Sequence, residues 1–174
     1  MTSEKLIITA DQLEFRSISA DMDCSGFDCD DEDLNSFLRD DAFQYQEQKI
    51  AQTTCLFFKG RLVAYFAVCN DSIRLSEDEK AKFPENKQIP SYPAVKLARM
   101  ACVKEHQRCG LGKIIIEIVI GMAVAINKNG VACRYVTVDA YRAKESWYEK
   151  RGFIRNQARA SSGPTVSMRK DIFS

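Results

Sequence analysis

The sequence predicts an α+β fold built on one mixed β-sheet flanked by helices. Three observations carry this. Strand-like and helix-like segments alternate in the order β-α-β-β-(α)-β-α-β-α-β-β. Ala94 to Val103 carries apolar residues on both faces, the mark of a central strand covered on two sides. Gly112 to about Asn129 is apolar on most sides, with Lys113, Glu117 and Lys128 as a narrow wet edge, so it reads as a largely buried helix. A chain of 174 residues fits a single domain, 1–174, with a full core.

In chain order, residues 5–18 alternate loosely and suit a first strand, with Leu6, Ile8, Leu13 and Phe15 as its apolar positions. Asp30 is placed to cap a following helix, and Asp31, Glu32 and Asp33 suit the positive end of its dipole. The acidic run 28–33 also invites a metal, but helix-start chemistry accounts for it more simply, and no metal is expected. Leu34, Phe37, Leu38 and Tyr45 share one face. Thr53 to Phe58 and Arg61 to Cys69 read as a hairpin turned at Lys59-Gly60. Ser76-Glu77-Asp78-Glu79 is a capping box that opens a short helix, with Pro84 as its stop. Prolines 84, 90 and 93 make 84–93 a loop. Asn129-Gly130 ends the long helix, and Cys133 to Val138 is a strand. Arg142 to Arg151 suits a helix closed by Gly152, followed by last strands at 153–154 and 165–172 around a polar loop.

Composition excludes several classes. Hydrophobic residues make up 45% and charged residues 28%, and the net charge is +1, so no global attraction to nucleic acid or membrane arises. Seven cysteines, odd in number and without a C-x-x-C pair, read as buried free thiols of a reducing compartment. The N-terminus lacks a signal-peptide core, and the longest apolar run, 114–126, is too short to span a bilayer. A cytoplasmic protein with no membrane partner is expected.

The chemistry concentrates at Gln107-Arg108-Cys109-Gly110-Leu111-Gly112. Two glycines where a strand turns into a helix let the backbone approach a ligand closely. The first helical amides lack internal partners and sit at the positive end of the dipole, which suits phosphate oxygens. Arg108 and Lys113 add charge. An ordinary strand–helix turn is the plainer alternative.

Downstream stands Ser146-Trp147-Tyr148-Glu149-Lys150-Arg151-Gly152-Phe153. Together with the glycine loop, which matches a Q/R-x-x-G-x-G/A pattern, this segment resembles the GNAT superfamily of N-acetyltransferases over residues 55–172. The resemblance implies a GNAT-like domain with a splayed pair of central strands and acetyl-CoA as cosubstrate. It implies that the backbone from Arg108 through Cys109, Gly110, Leu111 and Gly112 to Lys113 holds the pyrophosphate. It also implies that Met100, Ala101 and Cys102 offer free backbone groups to pantetheine and the acetyl carbonyl.

Tyr148 aligns with the family's general acid; the alternative is a core tyrosine packed with Trp147 and Phe153. The family often has an asparagine seven residues before this tyrosine and an alanine four before it. Tyr141 and Lys144 stand there instead, which removes one cofactor contact unless Ser146 replaces it. No base is evident. His106 and Glu105 sit ahead of the loop, with His106 facing solvent or a phosphate, and Cys102 and Cys109 are packing or backbone residues rather than acetyl carriers.

The run from Phe27 to Leu38 further resembles GNAT toxins that acetylate the amino group of aminoacyl-tRNA and pair with a ribbon-helix-helix antitoxin. Arg142, Lys144, Lys150, Arg151, Arg155, Arg159, Arg169 and Lys170 could line an RNA-binding side. The expected function is acetyl transfer to a primary amine of unknown identity. Aminoacyl-tRNA is one acceptor, and a non-catalytic acyl-CoA-binding module is the alternative outside catalysis. A homodimer is left open.

Overall fold

A computed structural model describes residues 6–83, 89–159 and 163–173. The elements follow the expected order. A 3₁₀ turn, Ala10–Gln12, precedes β1, Leu13–Ser17. Helix α1, Glu32–Ser36, passes through a wide π turn, Phe37–Asp41, into α2, Ala42–Glu47. Then come β2, Gln52–Phe58, β3, Arg61–Ile73, and α3, Glu77–Lys80. Strand β4, Tyr92–Cys102, is followed by α4, Leu111–Lys128, and β5, Tyr135–Tyr141. Helix α5, Glu145–Glu149, strand β6, Ile154–Arg155, and strand β7, Thr165–Asp171, complete the described chain.

The seven strands form one sheet in the order β1-β2-β3-β4-β5-β7-β6, so β4 is central as its two-sided apolar pattern predicts. The sheet is mixed: β4 and β5 run parallel, while β1–β2, β2–β3, β5–β7 and β6–β7 are antiparallel. The β4–β5 register covers Ala94↔Tyr135 to Leu97↔Val138 and stops short of the ends of both strands. This is the splayed central pair that the resemblance implies.

The chain divides into two compact units. The first comprises Met1–Cys69 and Ala98–Ile118, the second Asn70–Leu97 and Val119–Ser174. In the first, Tyr65 and Phe66 on β3 are fully buried, and Tyr65 stands edge-on to Phe27 at 5.4 Å and stacked near Phe37 at 6.0 Å. Its hydroxyl donates to Leu34 O at 2.8 Å, so the buried phenol keeps a partner. The Lys59-Gly60 hairpin has both residues at positive φ (51° and 76°), the turn whose twist suits antiparallel strands. In the second unit, Val136, Val166 and Met168 are fully buried, and Tyr92, Tyr135, Ile73 and Leu75 form a further apolar cluster with Phe83.

Several boundaries differ from expectation for local reasons. The first strand begins at Leu13, because Gln12 folds back, its side chain accepting from Thr9 N at 3.0 Å. Asp31, not Asp30, caps α1, accepting from the amides of Asp33 and Leu34. Asp30 lies at φ +64° with its amide bound to Asp28 Oδ1, which delays the helix by one residue. Tyr45, assigned to the apolar face, is 38% exposed. Strand β3 runs past Cys69 to Ile73. Strand β5 starts at Tyr135 because Cys133 is held in a turn, its amide donating to Asn127 Oδ1 and its carbonyl accepting from Asn127 Nδ2. The helix expected over 142–151 is a 3₁₀ turn, Arg142–Lys144, followed by the shorter α5. The Ser76–Glu79 capping box is present as predicted. Pro84 as a helix stop lies outside the described residues.

Candidate active site

The glycine loop belongs to the first unit. β4 ends at Cys102, a 3₁₀ turn follows at Lys104–His106, and Arg108 enters the left-handed region at φ +67°. Gly110 takes φ +97°, and a Cβ there would meet Ile8 O at 3.4 Å. Its carbonyl accepts from Lys113 N at 3.1 Å and Ile114 N at 3.2 Å, so Gly110 caps α4. Between the two positive-φ residues Cys109 is buried, its carbonyl accepting from Ile8 N at 2.9 Å. The loop is therefore pinned from below. Among the described residues no backbone acceptor meets the amides of Gly110, Leu111 and Gly112. Arg108 and Lys113 are exposed beside them, and Lys113 makes only a loose pair with Glu117 at 3.7 Å. Successive free amides at a helix start, flanked by cations, are chemically suited to the oxygens of an anion. The sequence credited the turn to glycine alone; Arg108 shares the unusual backbone.

Just upstream, Ala101 is buried and Met100 and Cys102 are half-buried. Burial pushes the Cys102 thiol up to about 12, so it holds its proton at neutral pH and makes a poor acetyl acceptor. His106 is half-buried rather than open to solvent: its ring stands edge-on to Phe58 at 6.0 Å, and its Nδ1 is buried without a hydrogen-bond partner among the described residues.

A polar brace not foreseen from the sequence secures the approach to this loop. Lys104 Nζ lies 2.7 Å from Asp28 Oδ2, and Lys104 N donates to Asp28 O at 3.0 Å. Gln107 Nε2 donates to Cys29 O at 3.1 Å. Asn35, buried at 8% exposure, accepts from Cys29 N at 3.0 Å and donates to Asp28 Oδ1 at 3.3 Å. Arg99 pairs with Asp33 at 3.1 Å and lies over the Phe37 ring at 4.7 Å. Thus the acidic run 28–33 both starts a helix and answers the cations around the loop. The signal was there, in matched charges at 28–33 and at Arg99 and Lys104, but sequence separation hid the pairing.

Tyr148 lies in the second unit, 7% exposed, on α5. Its ring stands edge-on to Trp147 at 4.9 Å and to Phe153 at 5.4 Å, the aromatic packing that the alternative reading of this tyrosine describes. Its carbonyl accepts from Arg151 N at 2.9 Å and Phe153 N at 3.2 Å, closing the helix at Gly152, φ +82°. The Arg151 guanidinium sits 3.5 Å over the Trp147 ring and donates to Trp147 O at 2.7 Å. Ser146, Tyr141 and Lys144 are all exposed.

The late basic residues do not form one free surface. Arg169 is 5% exposed and pairs with Glu79 at 2.7 Å. Arg155 pairs with Glu145, and Arg142 Nε donates to Gly163 O at 2.9 Å. Arg169 is a core residue and does not belong to a row of surface cations.

These features invite comparison with known proteins. The family described as the acetyltransferase (GNAT) domain matches residues 20–170. The chain belongs to the GNAT acetyltransferase family. Among solved structures, a mutant of KacT superposes with a TM-score of 0.73 at 22% identity, over 93% of this chain and 96% of that one. A mutant AtaT toxin bound to the C-terminus of antitoxin AtaR and acetyl-CoA gives 0.69 at 19% identity, over 94% and 95%. AtaT complexed with acetyl-methionyl-tRNAfMet gives 0.70 at 21% identity, over 89% and 93%. At these identities the likeness is one of fold. No curated protein sequence matches. No described helix of this GNAT chain is long and apolar enough to cross a membrane.

Proposed function

We propose that this GNAT chain moves an acetyl group from acetyl-CoA to a primary amine by direct attack. The carrying observation is the cradle at Gly110, where positive φ, free amides and two exposed cations meet at the start of α4. These groups fit a pyrophosphate, with Arg108, Cys109, Gly110, Leu111, Gly112 and Lys113 holding it. Acetyl-CoA supplies an acetyl group activated as a thioester. Backbone groups of Met100, Ala101 and Cys102 orient the acetyl arm, and an amide there holds the negative charge that develops on its oxygen. Tyr148 gives its phenolic proton to the departing thiolate, and the proton that the attacking amine loses leaves through water, which also reprotonates the phenolate; phenol and thiol have comparable proton affinities, about 10 and about 8.5 on the pKa scale. Neither Cys102 nor Cys109 carries acetyl in this reading.

The acceptor favoured by the solved relatives is the amino group of aminoacyl-tRNA, since AtaT is seen with acetyl-methionyl-tRNAfMet. An antitoxin partner of the ribbon-helix-helix kind fits the same relatives, AtaT being seen with the C-terminus of AtaR. Such a protein would act in the cytoplasm. The test has two arms. Acetyl-CoA should raise the melting temperature while free acetate does not; no shift at saturating acetyl-CoA would remove the cosubstrate. Expression in growing cells should arrest translation, and normal growth at good soluble yield would remove aminoacyl-tRNA as the acceptor. Cosubstrate binding without turnover on any amine would favour a non-catalytic module.

A further inference from the structure

The second unit contains a cavity of ≈ 250 Å³ whose walls include Asp71, Ser72, Arg74, Asn156, Arg159 and Ser167. Its floor is rigid. Arg169 and Glu79, each 5% exposed, pair at 2.7 Å, and Arg169 Nη1 donates to Asn156 Oδ1 at 2.9 Å. Asn156 Nδ2 in turn donates to Ser167 Oγ at 2.9 Å. Burial alone would raise the Glu79 carboxyl; the Ser76 amide and Arg169 outweigh it and hold it below its ordinary value, so the pair stays charged. A buried ion pair is a costly way to stabilise a core, and here it fixes the amide and hydroxyl of a cavity wall.

The charges at the rim are unevenly matched. The Asp71 carboxylate accepts from Thr137 Oγ1 at 2.6 Å and from Ser72 N at 2.8 Å, and a carboxylate has about four acceptor positions. Asp139 is held closely by Lys96 at 2.6 Å, which leaves Arg159 only a loose, exposed contact with it at 3.7 Å. Arg74 is exposed and makes no ion pair among the described residues. Two guanidiniums with little counter-charge therefore stand beside one carboxylate with acceptor capacity to spare.

We propose that this cavity binds a ribose-phosphate unit of an RNA acceptor. Arg74 and Arg159 take the phosphate, whose oxygens match the planar guanidinium fork. Asp71 accepts from a ribose hydroxyl, the group that separates RNA from DNA. The volume, ≈ 250 Å³, is below the roughly 300 Å³ at which pockets for drug-sized molecules begin, and suits a sugar and phosphate rather than a base pair. The proposal rests on the aminoacyl-tRNA reading and assigns part of that acceptor to a site.

The test uses the full chain with acetyl-CoA and two acceptors: aminoacyl-tRNA, and 3′-aminoacyl-adenosine, which has no phosphate. In the double variant Arg74→Ala, Arg159→Ala, the ratio of KM for the tRNA to KM for the nucleoside should rise about tenfold. The dependence of tRNA affinity on salt should weaken by ~0.7 in log–log slope for each single-strand phosphate that is no longer neutralised. The Arg74→Lys, Arg159→Lys variant should recover most of that slope, because it keeps the charge; a purely structural defect would not follow charge in this way. An unchanged KM ratio and slope, or an equal rise in both KM values, overturns the assignment. If the wild type acetylates neither acceptor although acetyl-CoA still raises its melting temperature, the aminoacyl-tRNA reading fails and takes this site with it. If the wild type acetylates both and the arginine variants match it, only the site fails.

Discussion

Gln107 and Cys29, 78 positions apart, are joined by one hydrogen bond from the Gln107 side chain to the Cys29 carbonyl at 3.1 Å. Lys104 and Asp28 make a second bond beside it at 2.7 Å. The residues that lead into the glycine loop are thereby tied to the segment that starts α1. Gln107→Ala should weaken acetyl-CoA binding by a few-fold with little change in melting temperature, since it removes a single neutral hydrogen bond of about 1 kcal/mol. Calorimetric titration with acetyl-CoA checks this, and an unchanged affinity would leave the bond a purely local one.

Gly110→Ala places a side chain on a residue at φ +97°, with its Cβ 3.4 Å from Ile8 O. The backbone strain costs roughly 1–2 kcal/mol, and the Cβ stands at the tight edge of ordinary contact with Ile8 O, so the loop relaxes mainly to relieve the strained φ. Acetyl-CoA affinity should fall by at least about tenfold while the circular dichroism spectrum of the variant stays native. Retained affinity would show that the cradle does not depend on this backbone.

Tyr148→Phe keeps the ring contacts to Trp147 and Phe153 and removes only the hydroxyl. Turnover should drop by about 10²–10⁴, the span of a missing general acid, with acetyl-CoA affinity retained. Turnover equal to wild type would return Tyr148 to the status of a packing residue.

Asp28 gives a pH prediction. Its carboxyl is lowered to about 2, first by the hydrogen bond from Lys104, then by those from the Asp30 amide and Asn35. An unfolded aspartate titrates near 3.9. Because the folded pKa is depressed, this group adds stability above the unfolded value and loses it as pH falls from about 4 to about 2. Urea midpoints measured across that window should fall less steeply for Asp28→Asn than for wild type. Parallel curves would show that the solvent-facing pair with Lys104 contributes nothing measurable.

Glu79→Gln leaves the Arg169 charge buried without its partner and should destabilise by about 3–5 kcal/mol. Replacing both residues by apolar ones of similar volume should cost less than the single change, because no charge remains uncompensated. Chemical denaturation of the two variants decides between them.

Much of this chain was legible before any coordinates. The hairpin at Lys59-Gly60, the capping box at Ser76, the central position of β4 and the turn at Gly110 follow from residues adjacent in sequence. Their signals are local, being backbone freedom, side-chain capping and the period of apolar positions. Boundaries slipped where a side chain intervened, as at Asp30 and Cys133, since a single hydrogen bond moves a helix or strand end at little cost.

The sequence by itself determined the α+β class, the order of elements and the glycine loop with its two cations, because these depend on neighbours a few residues apart. Tertiary structure alone decided how the long-range charges are used. It sent Arg169 into the core with Glu79 while Arg159 and Arg74 stayed at a cavity, and it set Lys104 on Asp28. A list of charged residues does not say which will be paired. Pairing needs close approach and partial loss of water, and only the folded chain supplies both.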